Sequence, residues 1–474
     1  MRLEDFMNAS PVNFWAVETI KKCLIEAGYK EWRAEEACPE VKEGDKVFVT
    51  KNGSTIFAFH IGRKTLAEGG MRIISAHSDS PCFRVKPNAE IKCEGGLVKL
   101  NTELYGGAIM STWMDRPLSL AGRVVLKGAE GDITNPEVRL LRIERPILTI
   151  PNLAIHFNRQ VNDGVALSKQ KDMLPVLTVE NGKVKGENGN LRVSESISKA
   201  SFDYAEREQV QDDKVGLKVK GENGNLEAGN GSILKDLVAE ELGVDAGEIL
   251  DFDLYLYDTT PAQRVGLYGE LIQSGRLDDL SMAHAGMEAL LADGETPEVT
   301  KCLAIFDNEE TGSQTKQGAG SPFFASLVQR LVAKQTEGDS FEGFAMCVEH
   351  SFMVSADNAH AWHPNYSEKY DPTNHPVMGG GPVIKYNASQ KYLSDAVGAS
   401  VFMQACKKAG APYQTFVNHS DVAGGSTLGN ILSSSFPVKG VDMGNPIWGM
   451  HSARETASIQ DHENCIKAFA EFLK

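Results

Sequence analysis

The sequence predicts an α/β fold: a mainly parallel sheet, interrupted by a long β-rich insertion. Three observations carry this. From Phe252 onward, apolar strand patterns and helical patterns take turns at residues 254–257, 281–291, 303–306, 322–332 and 344–348, and a last helix falls near 464–472. Such alternation belongs to a parallel sheet with helices on both faces, and it makes 344–348 a strand. Upstream, the apolar run 71–76 is a further strand that ends at His77. Between about residue 90 and Gly231 the pattern changes to short, glycine-punctuated β segments, with strands at 118–125 and 138–143. The chain therefore divides into 1–90, an inserted unit 91–245, and 246–474. An insertion of this size is tolerated where its two ends lie close together.

The remaining elements follow from local signals. Ser10-Pro11 opens a helix in which Phe14, Val17, Ile20, Cys23 and Leu24 recur at helical spacing. Residues 47–50 and 55–59 flank Lys51-Asn52-Gly53-Ser54, a hairpin signature. Ile233, Leu234, Leu237, Val238 and Leu242 form a helix closed by Gly243. The nonapeptide 183–191 recurs at 218–226. Two copies are too few for a solenoid, and they read as polar hairpin turns. Gly379-Gly380-Gly381 and Gly424-Gly425 match neither phosphate-loop pattern and read as tight turns.

Bulk properties narrow the function classes. The chain has 474 residues, 24% charged and 42% hydrophobic, with a formal net charge of -16. That charge, with no basic block, argues against nucleic-acid binding. No apolar stretch reaches membrane-spanning length. The acidic start Met1-Arg2-Leu3-Glu4-Asp5 does not resemble a signal peptide. The eight cysteines show no C-x-x-C spacing and read as reduced thiols of a cytoplasmic protein.

The chemistry is expected at strand ends, where open α/β sheets gather their sites. Glu309-Glu310 follows the strand 303–306, so one carboxylate can bind a metal while its neighbour stays free as a base. His77, Asp258, Glu310, Asp357 and His451 each sit at a strand-to-loop junction and are ligand types for a hard-to-borderline ion. Asp79 is a natural partner for the second ring nitrogen of His77.

Five stretches in order, 76–86, 258–261, 306–313, 355–366 and 449–455, resemble the signatures of the aspartyl aminopeptidase family of dinuclear zinc exopeptidases. The resemblance implies a metallopeptidase domain carrying an inserted oligomerisation domain. It implies two divalent ions, zinc with manganese or cobalt as other candidates, bridged by Asp258. His77 and Asp357 would hold one ion, Glu310 and His451 the other, and Glu309 would be the general base. It further implies that Lys385 and Tyr392 receive an acidic first side chain. His156 would reach a neighbouring subunit's site, in a homo-oligomer as large as a dodecamer that acts on peptides. His360, His363 and His419 read as structural. The competing readings are an aminopeptidase preferring neutral or hydrophobic residues, a metallo-deacylase or carboxypeptidase on the same fold, and a non-catalytic self-assembling shell.

Overall fold

A nine-stranded sheet forms the centre of the molecule, seen in a computed structural model that describes residues 1–128, 133–164, 166–179, 232–292, 294–336 and 338–474. Four adjacent strands, Thr300–Phe306, Met71–His77, Phe352–Ala356 and Lys439–Gly444, run parallel. Their carboxyl ends therefore open on the same edge. The hairpin Lys46–Lys51/Thr55–His60 pairs antiparallel beside them, and Val383–Tyr386 and Gln414–Val417 complete the far side.

Nearly every residue of the central strands is buried, as expected for a sheet covered on both faces. Successive side chains enter opposite cores. Ile74, Ala76, Leu303, Ile305 and Val354 pack on one side with the helices Leu277–Leu291, Ala396–Ala409 and Ile459–Phe472. Ile73, Cys302, Ala304, Phe306 and Met353 pack on the other with Phe323–Gln335 and Ser340–His350. The helix Leu277–Leu291 comes close to the sheet at Gly286, where a Cβ would stand 2.8 Å from Leu303 Cδ1 and 3.0 Å from Ile74 Cγ2.

Segment 344–348 is helical, which corrects the strand expected there. Asp339 caps the helix Ser340–His350 by accepting the amide of Phe341. Phe344, Cys347 and Val348 recur at helical spacing, but the run is too short for its periodicity to decide. The strand is the next segment, Phe352–Ala356.

A six-stranded antiparallel sheet holds Glu137–Arg142, Leu118–Leu126, Ile249–Asp258, Cys82–Lys92, Leu97–Tyr105 and Val176–Val179, in that spatial order. It packs with the helix Ile233–Leu242 around a separate core. The sheet reaches outside 91–245 at both ends, because the apolar strands Cys82–Lys92 and Ile249–Asp258 pair with it and not with the parallel sheet. Both copies of the nonapeptide repeat lie outside the described residues. A third sheet of short strands, in the order Gln263–Val265, Leu271–Ser274, Glu455–Ser458, Pro446–Trp448 and Ala359–His360, adjoins the parallel one. Among the described residues, no helix is long and apolar enough to cross a membrane.

Candidate metal centre

Parallel register brings the first functional groups together. Phe306 pairs with His77, and Phe352–Ser355 run in step with Arg72–Ser75. His77 is thus the last residue of its strand, Asp357 follows the next strand, and Glu309 and Glu310 lie in a single 3₁₀ turn just beyond Phe306. Asn308 opens that turn in the left-handed region, φ 61°. Its side-chain oxygen is held by Thr315 Oγ1 and Gln317 Nε2 at 2.8 and 2.7 Å.

Two further elements close the site. Asp278 stands at the start of the helix Leu277–Leu291. His451 lies in the turn between Pro446–Trp448 and Glu455–Ser458, with φ 70°. His451 Nε2 is 3.4 Å from Asp278 Oδ2 and 3.3 Å from Glu310 Oε2. On the other side, His77 Nε2 lies 3.9 Å from Asp278 Oδ1 and 4.0 Å from Asp279 Oδ2. Potential ligand atoms therefore converge in overlapping groups: His77, Asp278, Asp279 and Asp357; Asp278, Glu310 and His451; and His77 with Glu309 and Glu310. Asp278 belongs to the first two of these groups, linking His77 with His451.

Asp79 supports this constellation from behind. Its carboxylate accepts the backbone amides of Glu309 and Glu310, each at 3.1 Å, and the Tyr105 hydroxyl at 2.7 Å. One oxygen is 3.4 Å from His77 Nδ1, and the Asp79 carbonyl is 3.0 Å from the same nitrogen. A carboxylate behind a ligand histidine fixes the ring's tautomer and direction.

The electrostatics ask for cations. Asp79, Asp278, Asp279, Asp357, Glu309 and Glu310 crowd a space in which, among the described residues, His77, His451 and Lys385 stand within 4.0 Å of them. Asp278 Oδ1 and Glu310 Oε1 are buried with no hydrogen-bond donor. Burial, against the charge of His77, pushes Glu309 up to about 8. Burial and the neighbouring Asp278 raise Glu310 well above the carboxylate range. Burial would lower His77, but Asp279 and Asp79 more than reverse it. Burial would lower His451 too, yet its hydrogen bond to Asp278 and the charge of Glu310 lift it to about 10. Crowded carboxylates with orphaned oxygens beside imidazoles are a donor set for divalent ions such as zinc.

Of the residues singled out in the sequence, His77, Asp79, Glu309, Glu310, Asp357 and His451 come together, but Asp258 does not. It ends the strand Ile249–Asp258 of the six-stranded sheet, and its Oδ2 accepts Arg116 Nη1 at 3.0 Å, with Arg454 Nη1 at 4.0 Å. Its Oδ1 accepts the Thr260 amide at 2.9 Å. Asp278 instead lies between His77 and His451. The signal was there, since Asp278-Asp279 follows the breaker Ser274-Gly275 much as Glu309-Glu310 follows its strand. Acids at a helix start are so ordinary that they concealed it.

Lys385 is buried, donates to the Asn358 carbonyl at 3.0 Å, and stands 3.5 Å from Asp357 Oδ1 and 5.5 Å from the ring centre of Tyr392. Burial works against its charge, and Asp357, Tyr392, Asp442 and Asp278 together more than offset that. His156 is exposed in a turn beside the exposed Leu153, Ile155 and Phe157 and is not part of the cluster. Gly379 and Gly381 are tight turns, φ 84° and 90°, whose amides donate to Asp461 at 2.7 and 2.8 Å.

Comparison with known proteins agrees with this geometry. A family model described as aminopeptidase I zinc metalloprotease (M18) matches residues 6–473. A probable M18 family aminopeptidase 2 of Clostridium novyi (strain NT) is 43% identical over 470 residues, covering 99% of this chain and 97% of that protein. A probable aspartyl aminopeptidase of Ricinus communis is 36% identical over 483 residues, covering 100% and 94%. A chain in the cryo-EM structure of the Ape4 and Nbr1 complex superposes with a TM-score of 0.85 at 32% identity, covering 99% of this chain and 84% of that one. An M18 family aminopeptidase from Thermotoga maritima shares the fold, with a TM-score of 0.77 at 22% identity, covering 99% and 94%.

Asp79→Asn keeps the shape but replaces one acceptor oxygen with an NH₂ group facing backbone amides. It should weaken divalent-ion binding about 10- to 100-fold, measured by competition with a chromogenic chelator. Unchanged affinity would mean that the strand ends alone hold the ligands.

Proposed function

Because the chain belongs to the M18 family of zinc metallo-aminopeptidases, we propose that it works as a dinuclear enzyme in which Asp278, not Asp258, bridges two divalent ions. The chain is a metal-dependent aminopeptidase. The observation that carries the dinuclear reading is the shared position of Asp278, one oxygen toward His77 and the other toward His451. His77 and Asp357 would complete one ion's ligands, Glu310 and His451 the other's. Asp258 is already committed to Arg116.

Divalent ions held there would supply an acidified water and a polarised peptide carbonyl. The remaining work falls to side chains. Glu309 shares a turn with Glu310 but has its own carboxylate free to accept the proton of the attacking water and return it to the leaving amine. Burial raises Glu309, which favours it as a proton acceptor. Lys385, buried behind Asp357, offers a positive charge to an acidic first side chain, and Tyr392 lies beside it. The relationship to a probable aspartyl aminopeptidase supports that preference. His156 is assigned to the oxyanion of a neighbouring copy's site, supported by its exposure among exposed apolar residues, a surface suited to self-association.

Removing divalent ions with a chelator should abolish peptide cleavage, and adding zinc, manganese or cobalt should restore it. In the same assay Asp278→Asn should lose both ion binding and activity, whereas Asp258→Asn should still bind two ions per chain. Loss of ions from Asp258→Asn alone would reverse the assignment.

Glu309→Gln should lower kcat about 10²-fold or more with the ion content unchanged, measured by steady-state kinetics beside elemental analysis. A drop in ion content would exchange the roles of Glu309 and Glu310.

Lys385→Met should cost more kcat/KM on Asp- and Glu-chromophore substrates than on Leu or Met ones, since a site built for a charge is selective when that charge is unpaired. Equal losses would make Lys385 structural, and a wild-type preference for Leu over Asp would sink the acidic reading.

A further inference from the structure

Two residues of the Asp278–Glu310–His451 cluster come from distant stretches of chain, and one side chain ties them together. Glu455 Oε1 accepts the His451 amide at 2.7 Å, and Glu455 Oε2 accepts the Asp278 amide at 3.0 Å. Glu455 is 1% exposed. It is also a strand residue, paired in register with Ser274 on the strand that leads into Asp278. We propose that Glu455 is a positioning residue that sets the spacing between Asp278 and His451 and so governs the affinity of the ion held by them and Glu310.

Three features make this more than a local hydrogen bond. His451 lies at φ 70°, a conformation that residues other than glycine rarely adopt, so its backbone needs an external hold. Elsewhere the His451 loop is anchored by Arg454, whose guanidinium donates to the carbonyls of Thr260, Pro261 and Gln273 at 2.7, 3.0 and 3.0 Å. That fixes the base of the loop and leaves the His451 amide to Glu455. The third ligand, Glu310, is held through its own amide by Asp79. Two buried carboxylates thus grip this cluster from opposite sides. The His77–Asp357 side extends from adjacent parallel strands paired in register as far as Ser75 and Ser355, and Asp279 accepts the His77 amide at 3.1 Å.

The proposal rests on the two-ion reading, and the experiment separates their failures. Ions are withdrawn from purified wild type and Glu455→Gln with increasing chelator, and the zinc remaining per chain is counted. Wild type should retain two ions with similar chelator dependence. In Glu455→Gln the amide NH₂ faces a backbone N–H, so one ion should leave at about 10- to 100-fold lower chelator concentration while the other shifts less than about threefold. Excess zinc should recover kcat without altering KM for the peptide. Glu455→Asp, one methylene shorter, should show the same split. Two ions lost together, or neither more easily lost, would overturn the positioning role. So would failure of both variants to fold, which would make Glu455 a requirement of the fold. Wild type holding one ion would overturn the dinuclear reading itself.

Discussion

The crowding of buried carboxylates is the constraint on which the rest of this structure turns. Six carboxylates meet at one edge of the parallel sheet, where burial strengthens every repulsion among them. Two imidazoles and one ammonium face them. Burial and mutual repulsion raise Glu309, Glu310 and Asp279, and divalent cations bound there would relieve the same repulsion. Asp79 and Glu455 spend their lone pairs on backbone amides, not on the cavity, and so hold ligand-bearing loops in place. The same negative field explains why both histidines sit above their ordinary titration range.

The sheet contributes precision. His77 and Phe306 are register partners, so the distance between the histidine and the following glutamate pair is set by backbone hydrogen bonds. Asp357 is fixed in the same way from the next strand. Asp278 and His451 have no such rail; they come from a helix start and a turn, and they depend on side-chain anchors. The centre therefore has a rigid half, built by the sheet, and an assembled half, built by Glu455, Arg454 and Asp79. This difference in origin is the physical basis for expecting the two halves to respond unequally when one of those anchors is altered.

The same division explains what could be read from the sequence. Strand ends are legible because apolar runs stop abruptly at polar residues, and His77, Glu309, Glu310 and Asp357 were all visible that way. The hairpin 47–59 and the helix closed by Gly243 were legible from turn and cap chemistry. Asp258 looked equally good, since it also ends an apolar strand, but nothing local says which sheet a strand will join. Ile249–Asp258 joined the six-stranded sheet, and its terminal carboxylate went to arginines. Asp278 was missed for the opposite reason: its sequence context is that of an ordinary helix start, and its role depends on contacts with residues 173 and 201 positions away. The helix Ser340–His350 was lost to a short apolar run whose period is ambiguous.

Lys385 draws on the same charge balance as the metal centre. A buried lysine needs a partner, and here Asp357 and the Asn358 carbonyl provide it. Asp357 is also among the groups facing His77, so a cation bound there draws on the same carboxylate. Once that carboxylate is shared with a metal ion, less of its charge remains to neutralise Lys385. The ammonium then has positive potential to offer an incoming acidic side chain, at a position screened from water. Under the proposed acidic preference, selectivity and loading of the metal centre would therefore be coupled through Asp357.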